Sequence, residues 1–240
     1  MFDYLKSELY RILIKKDMYV YFGVLLVLYL GLAFIQSSTL TLESVATQGE
    51  IVFTLLSLLG GGYLFSVLFN DDLQSKSLSQ IIGFGKRRWQ IVTVKYLLGA
   101  AGTALMFAMG SGLLWLIFNF LGYPFDTATW QVVRNLALMG GIKLFAFLVI
   151  ASIVAYGTQK STLSLVAFVL LASNFVTGIL SLLLGMAGSL GELISRFTIS
   201  GILLDIIGGH TPLGSLKLLI YVTVFGILAL LSFYKKDLEF

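Results

Sequence analysis

Six runs of predominantly apolar residues alternate with short polar stretches along the 240-residue chain, at about 18–36, 51–69, 96–121, 136–157, 161–184 and 216–234. Each is close to the roughly 20 residues that a helix needs to cross the hydrocarbon core of a bilayer. The pattern therefore predicts an all-α membrane protein with six transmembrane helices. Glycines within the runs, among them Gly60, Gly61, Gly62, Gly99, Gly102, Gly140 and Gly141, suit membrane helices, where small residues let backbones approach.

Two further segments are neither span nor plain loop. Phe2, Leu5, Leu9, Ile12 and Leu13 recur at helical spacing, with Lys6, Glu8, Arg11 and Lys15 between them. This amphipathic pattern predicts a helix over residues 1–17 that lies in the headgroup plane, the alternative being an amphipathic first turn of span one. Asp17 directly after Lys16 favours the break. Residues 185–213 are too apolar for a loop, yet Glu192, Arg196 and Asp205 would be costly at mid-bilayer. One apolar face combines Leu190, Leu193, Ile194 and Phe197; a second combines Ile202, Leu203, Ile206 and Ile207. With breaks at Gly191, Gly201, Gly208 and Gly209, the segment predicts two short re-entrant helices in the outer leaflet.

Composition fixes the solvent as lipid. Apolar residues make up 58% of the chain and charged residues 12%, half the charged share of an ordinary soluble domain, about 25%. No soluble domain fits between the runs, so residues 1–240 form a single transmembrane domain. The absence of cysteine removes disulfides, thiolate metal sites and thiol nucleophiles. No signal-peptide pattern precedes the first apolar run. The net charge of +4 sits beside apolar runs, which points to membrane lipid headgroups as partner and not to nucleic acid. Twelve of the sixteen Lys and Arg fall before span one, between spans two and three, between four and five, and after six. The other side holds Arg134, Lys143, Arg196 and Lys217, and the first outer loop, 37–50, holds none. Positive charge marks the cytoplasmic side, so the expectation is a multi-pass protein of the plasma membrane with both termini in the cytoplasm.

Catalytic chemistry finds few tools here. His210 is the lone histidine, in a turn-like setting beside glycine and proline, which suits a loop better than a metal ligand. Asp71 and Asp72 are adjacent at a span boundary, Asp126 lies in an outer loop, and no two acids pair within a span. No phosphate-cradling glycine loop is present, so no nucleotide site is expected in this chain and no enzyme activity of its own. Lys143 stands about two turns into span four. It could line a pathway, although a lysine stem that lets its ammonium reach the outer headgroups suffices to explain it. Asn119 and Asn174 are further pathway candidates, with interhelical hydrogen bonding the plainer role.

The polar insert between spans two and three, residues 70–90, is the most informative stretch. Leu78, Ile81 and Ile82 follow Asp71 and Asp72 on a short amphipathic helix, and Lys86, Arg87 and Arg88 follow in turn. Basic residues alone would make a topological anchor. The apolar spacing adds a face that could dock into a groove of a soluble partner.

Together these features resemble the ABC type-2 exporter permease family. Asp72, Ser77-Leu78, Ile81-Ile82, Arg88 and Lys95 match the family's spacing of an acid, a Thr-Leu pair, apolar residues, a base and a lysine entering span three. The "KSELYRIL" start and the "FYKKDLEF" end are similar too, while Asp72, Ser77 and Gly85 depart from the commoner Glu, Thr and Pro. The resemblance implies that residues 70–90 form a cytoplasmic coupling helix, with Asp71, Asp72, Ser77, Leu78, Ile81, Ile82, Arg87 and Arg88 as its coupling residues. It implies an ABC ATPase subunit as partner, carrying the ATP and magnesium. A second copy of this chain, or a sister permease, would complete the pathway. Small permeases of this family often export amphipathic peptides, such as bacteriocins and lantibiotics, from bacteria or confer immunity to them. A secondary transporter that works without ATP, or a membrane scaffold, is the alternative.

Overall fold

The computed structural model describes residues 2–16, 19, 20, 23, 24, 26, 27, 31, 42–75, 77–122, 125–207 and 211–235. Among these residues the chain is helical, with no strand. The expected first span, 18–36, falls largely outside the described residues, as does His210.

Helix α1, Phe2–Ile14, carries Asp3 in its first turn and Arg11 in its last, the arrangement that complements a helix dipole. Helix α2, Val45–Gln74, has a helical lead-in from Leu42 and contains two π-helical stretches, Leu56–Gly60 and Ser66–Asn70. A short helix α3, Ser77–Gly83, leads to α4, Arg88–Phe120, and α5, Thr127–Thr158. Then come α6, Ser161–Ala172, α7, Phe175–Met186, α8, Gly188–Ser195, α9, Ile199–Ile207, and α10, Thr211–Lys235. Four of these helices (α2, α4, α5 and α10) are long and apolar enough to cross a membrane, and the bent pair α6–α7 makes a fifth if it counts as one span.

The helices outrun the apolar runs because a run marks only the hydrocarbon-facing part. At 33 residues, α4 is about 50 Å long at 1.5 Å per residue, well beyond a core of roughly 30 Å. The loop expected at 37–50 is a helix from Leu42 onward. Its polar residues hide a helical stripe: Val45, Gln48, Gly49 and Val52 are buried, and Gly49 packs against Leu136 of α5.

Helix α5 is the hub and packs against α2, α4, α6, α9 and α10. Its second half is buried nearly all round, from Leu144 through Phe147, Leu148, Ala151 and Ala155 to Tyr156, as expected of a helix surrounded by others. An aromatic column runs beside it. Phe65 stacks on Phe168 at 5.0 Å, Phe69 meets Tyr156 edge-on at 5.9 Å, and Tyr156 stacks on Phe233 of α10 at 4.6 Å.

Span five, expected as one helix over 161–184, is broken. The pair α6–α7 bends by 56° at Ser173 and Asn174. Asn174 adopts the left-handed conformation, φ 61°, which Asn tolerates better than most side chains. Its N–H donates to Leu171 and its carbonyl accepts from Gly178, so one residue ends α6 and begins α7. Between residues 185 and 213 lie the short helices α8 and α9, with 185–186 belonging to α7 and 211–213 to α10; Gly191 and Gly201, expected as breaks, lie inside α8 and α9, because the chain breaks instead at Ala187 and over 196–198. Glycine is required at Gly191, where a Cβ would strike the backbone of Leu184. Asp205 on α9 pairs with Lys217 on α10 at 2.6 Å, which offsets the cost of an acid in an apolar setting.

Candidate functional site

Asp72, in the last turn of α2, is the centre of a buried ion network. Its side chain and that of Lys95 are each 1% exposed. Lys95 donates to Asp72 Oδ2 and to the carbonyl of Leu68, which lies in the second π-helical stretch. Arg11 of α1 reaches across to Asp72 Oδ1, and it also donates to Glu8 at 2.7 Å and to the Val67 carbonyl at 3.1 Å. Ser77 at the start of α3 donates its hydroxyl to Asp72 Oδ1 at 3.0 Å. The residues five and twenty-three positions beyond Asp72 thus converge on one carboxylate. Lys15 pairs with the neighbouring Asp71.

Electrostatics favour the charged state of Arg11. Burial works against the Arg11 cation, but the carboxylates of Asp72 and Glu8 overcome it and hold the guanidinium more firmly protonated than usual. Burial pushes the Tyr4 phenol well above its ordinary range, and the charges of Glu8 and Asp72 add to the rise.

The inward face of α1 is polar as well as apolar. Tyr4 and Glu8 are buried, Leu5 and Ile12 pack on the core, and Leu9 is exposed. Of the expected apolar face, Leu5 and Ile12 turn inward and Leu9 does not, while Arg11 reaches Asp72 and is itself held by Glu8; the side chains of Phe2 and Leu13 lie outside the described residues.

One end of the bundle gathers these parts. Arg88 donates to the carbonyls of Phe233 and Tyr234 and lies over both rings, at 5.3 and 5.6 Å, tying the start of α4 to the end of α10. Ser164 of α6 donates to Asn70 Oδ1 at 2.7 Å, next to the end of α2. Helix α3 then ends in a tight turn, with Gly85 left-handed at φ 82° and its N–H bonded to the Ile82 carbonyl.

The apolar residues of α3 face inward. Leu78 is 4% exposed, and Ile81 and Ile82 are half-buried and packed on the core, so much of this apolar face is already covered by the chain itself. The side chain that the turn offers outward is Phe84, 86% exposed, with Arg87 and Trp89 exposed beside it. Amphipathic spacing located the helix but could not tell an inner partner from an outer one. Phe84 lies in a turn, outside the helical periodicity, and the role of Arg11 is invisible to any local pattern because its partner Asp72 lies 61 residues away.

Of the pathway candidates, Lys143 and Asn174 line a common cavity of about 370 Å³ among α2, α5, α9 and the α6–α7 break. Asn119 stands apart, exposed in the last turn of α4. Glu50, not singled out from the sequence, lines the same cavity. Family models, curated proteins and solved structures alike return no match to this chain.

Proposed function

We propose that this chain is the membrane-spanning permease subunit of an ATP-driven ABC exporter in a bacterial plasma membrane. In this reading both termini and α3 face the cytoplasm, and an ATPase subunit grips the turn after α3. The observation that carries it is the junction at Asp72. The segment from α3 to Arg88 is bolted by Asp72–Lys95 to α2 and α4, by Arg11 to α1, and by Arg88 to α10. A push on this segment reaches four helices through short, charged contacts, as a coupling element requires. Helices α1 and α3 meet at one end of α2 while Val45 lies at the other, which supports reading the apolar run 18–36 as a crossing between them. With α2, α4, α5, α10 and the α6–α7 pair this gives six spans. A second copy of the chain or a sister permease completes the pathway, and an amphipathic peptide is the proposed cargo.

The test uses the turn and not the helix core. Co-expressed with the ATPase of the same operon, the full chain should co-purify with it and stimulate its ATP hydrolysis. Phe84→Asp together with Arg87→Glu should abolish both, because these exposed residues leave the fold intact; undiminished association in that variant would overturn the reading. The broken helix beside a charged cavity favours a second reading, a secondary transporter that works without ATP. Transport by the chain alone, with no ATPase in the liposome, would select it.

A further inference from the structure

The cavity that Lys143 and Asn174 share carries groups that the helix bundle leaves without partners. Lys143 stands near the middle of α5, half-buried, with its ammonium 5.8 Å from the Phe147 ring centre. Among the described residues neither half-buried Lys143 nor exposed Glu50 has an ion-pair partner within 4.0 Å, although both line this one cavity, and the cost of standing unpaired falls on the lysine. The side-chain amide oxygen of Asn174 is buried with no hydrogen-bond partner among the described residues. Its backbone is fully used in ending α6 and starting α7, so the unmet need belongs to the side chain alone. An unpaired charge and an unsatisfied buried carbonyl each cost free energy. Both stand in this one cavity.

We propose that this cavity binds a small zwitterion. The ligand's anionic group sits on the Lys143 ammonium, and its own ammonium lies between the Glu50 carboxylate and Asn174 Oδ1. The separation of Glu50 and Lys143 beyond ion-pair reach is what such a ligand bridges, since it brings both opposite charges itself. A cation alone would leave Lys143 unpaired, and an anion alone would leave Glu50 and Asn174 unsatisfied. Phe53, Phe147 and Leu203 supply an apolar wall for a short aliphatic portion. At about 370 Å³ the cavity is near the lower bound of ligand pockets, roughly 300–1,000 Å³, which suits one amino acid or one lipid headgroup and not a folded peptide. The shared chemistry is an ammonium and an anionic oxygen group a few bonds apart, as in a free amino acid or in phosphoethanolamine.

The experiment is calorimetric titration and thermal unfolding of the purified full chain, without ATP or any partner. Failure here therefore leaves docking at Phe84 untouched, and failure there leaves this site untouched. Leucine and phosphoethanolamine are titrated in detergent, and the chain is compared in nanodiscs of phosphatidylethanolamine and of phosphatidylglycerol. A saturable rise in melting temperature with leucine alone assigns the site to amino acids. A rise with phosphoethanolamine, reproduced in phosphatidylethanolamine nanodiscs, assigns it to the headgroup. Lys143→Met and Glu50→Gln should each weaken binding by about tenfold or more, the equivalent of one ion pair at roughly 1.4 kcal/mol. Both variants remove an unpaired charge, so they should fold at least as well as the parent chain. No response to either zwitterion overturns the proposal. So does binding that Lys143→Met leaves unchanged, or acetate binding as tightly as leucine with no effect of Glu50→Gln.

Discussion

Asp72 is in direct contact with two cations and a hydroxyl while almost wholly buried. Removing one member of such a set leaves an uncompensated charge, which costs about 3–5 kcal/mol. Asp72→Asn should therefore lower the melting temperature in detergent sharply, as should Lys95→Met. The double variant should be less destabilised than the sum of the two, because neither charge is then stranded; strictly additive losses would show that the two side chains do not act as a pair. Asp126 gives a pH-dependent counterpart at the start of α5. Its carboxylate accepts from the Thr129 hydroxyl at 2.6 Å and the Thr129 N–H at 2.8 Å, and these bonds hold it below the usual carboxylate range. A depressed folded-state value means the contribution is present above the unfolded-state value and is lost as pH falls through the folded one. The stability difference between the parent chain and Asp126→Ala, measured from pH 7 downward, should thus shrink toward zero in acid. The spacing of Asp72, Ser77 and Lys95 was visible in the sequence, but their meeting at one carboxylate depends on how α2, α3 and α4 turn, which no local pattern records.

At the scale of elements, apolar run length located the four long helices over 51–69, 96–121, 136–157 and 216–234, and polar punctuation located the break between α2 and α4. Both signals come from transfer between water and lipid, which acts on each segment separately. The break in α6–α7 was not legible, because Ser173 and Asn174 are polar residues that a membrane helix can also carry unbroken. What decides the break is backbone conformation: Asn174 is left-handed, and the chain turns by 56° there. Asn174→Gly should keep the bend and the melting temperature. Asn174→Val should cost about 1–2 kcal/mol, the penalty for a left-handed residue with a Cβ, made worse by the branch at that carbon. Equal stability of the two variants would mean that α6 and α7 can straighten into one helix. The inward aim of Leu78 was illegible for a related reason. An amphipathic helix states that it has an apolar face, and only the surrounding bundle states what covers it.

For the whole molecule, the contacts place α1, the α3 turn, the start of α6 and the end of α10 at one end of the bundle. Val45 and Thr127 begin helices that run toward that end. The same end carries Lys6, Lys15, Lys16, Lys86, Arg87, Arg88, Lys160 and Lys235, whereas Arg134 stands near the start of α5. Positive charge is retained on the cytoplasmic side during insertion, so the molecule should stand with this end inward. The absence of cysteine makes a direct measurement possible. Single-cysteine variants at exposed positions, Lys6→Cys, Gln80→Cys and Thr127→Cys, would be treated with a membrane-impermeant maleimide. In intact cells only Thr127→Cys should label, and Lys6→Cys and Gln80→Cys should label only after the membrane is permeabilised. Labelling of Gln80→Cys from outside would invert the molecule and place the Phe84 turn beyond reach of any cytoplasmic ATPase. Labelling of Lys6→Cys and Gln80→Cys on opposite sides would contradict the Arg11–Asp72 contact itself, since α1 and the end of α2 could not then meet. The three positions thus test orientation, the crossing proposed for 18–36, and the ion network through one set of variants.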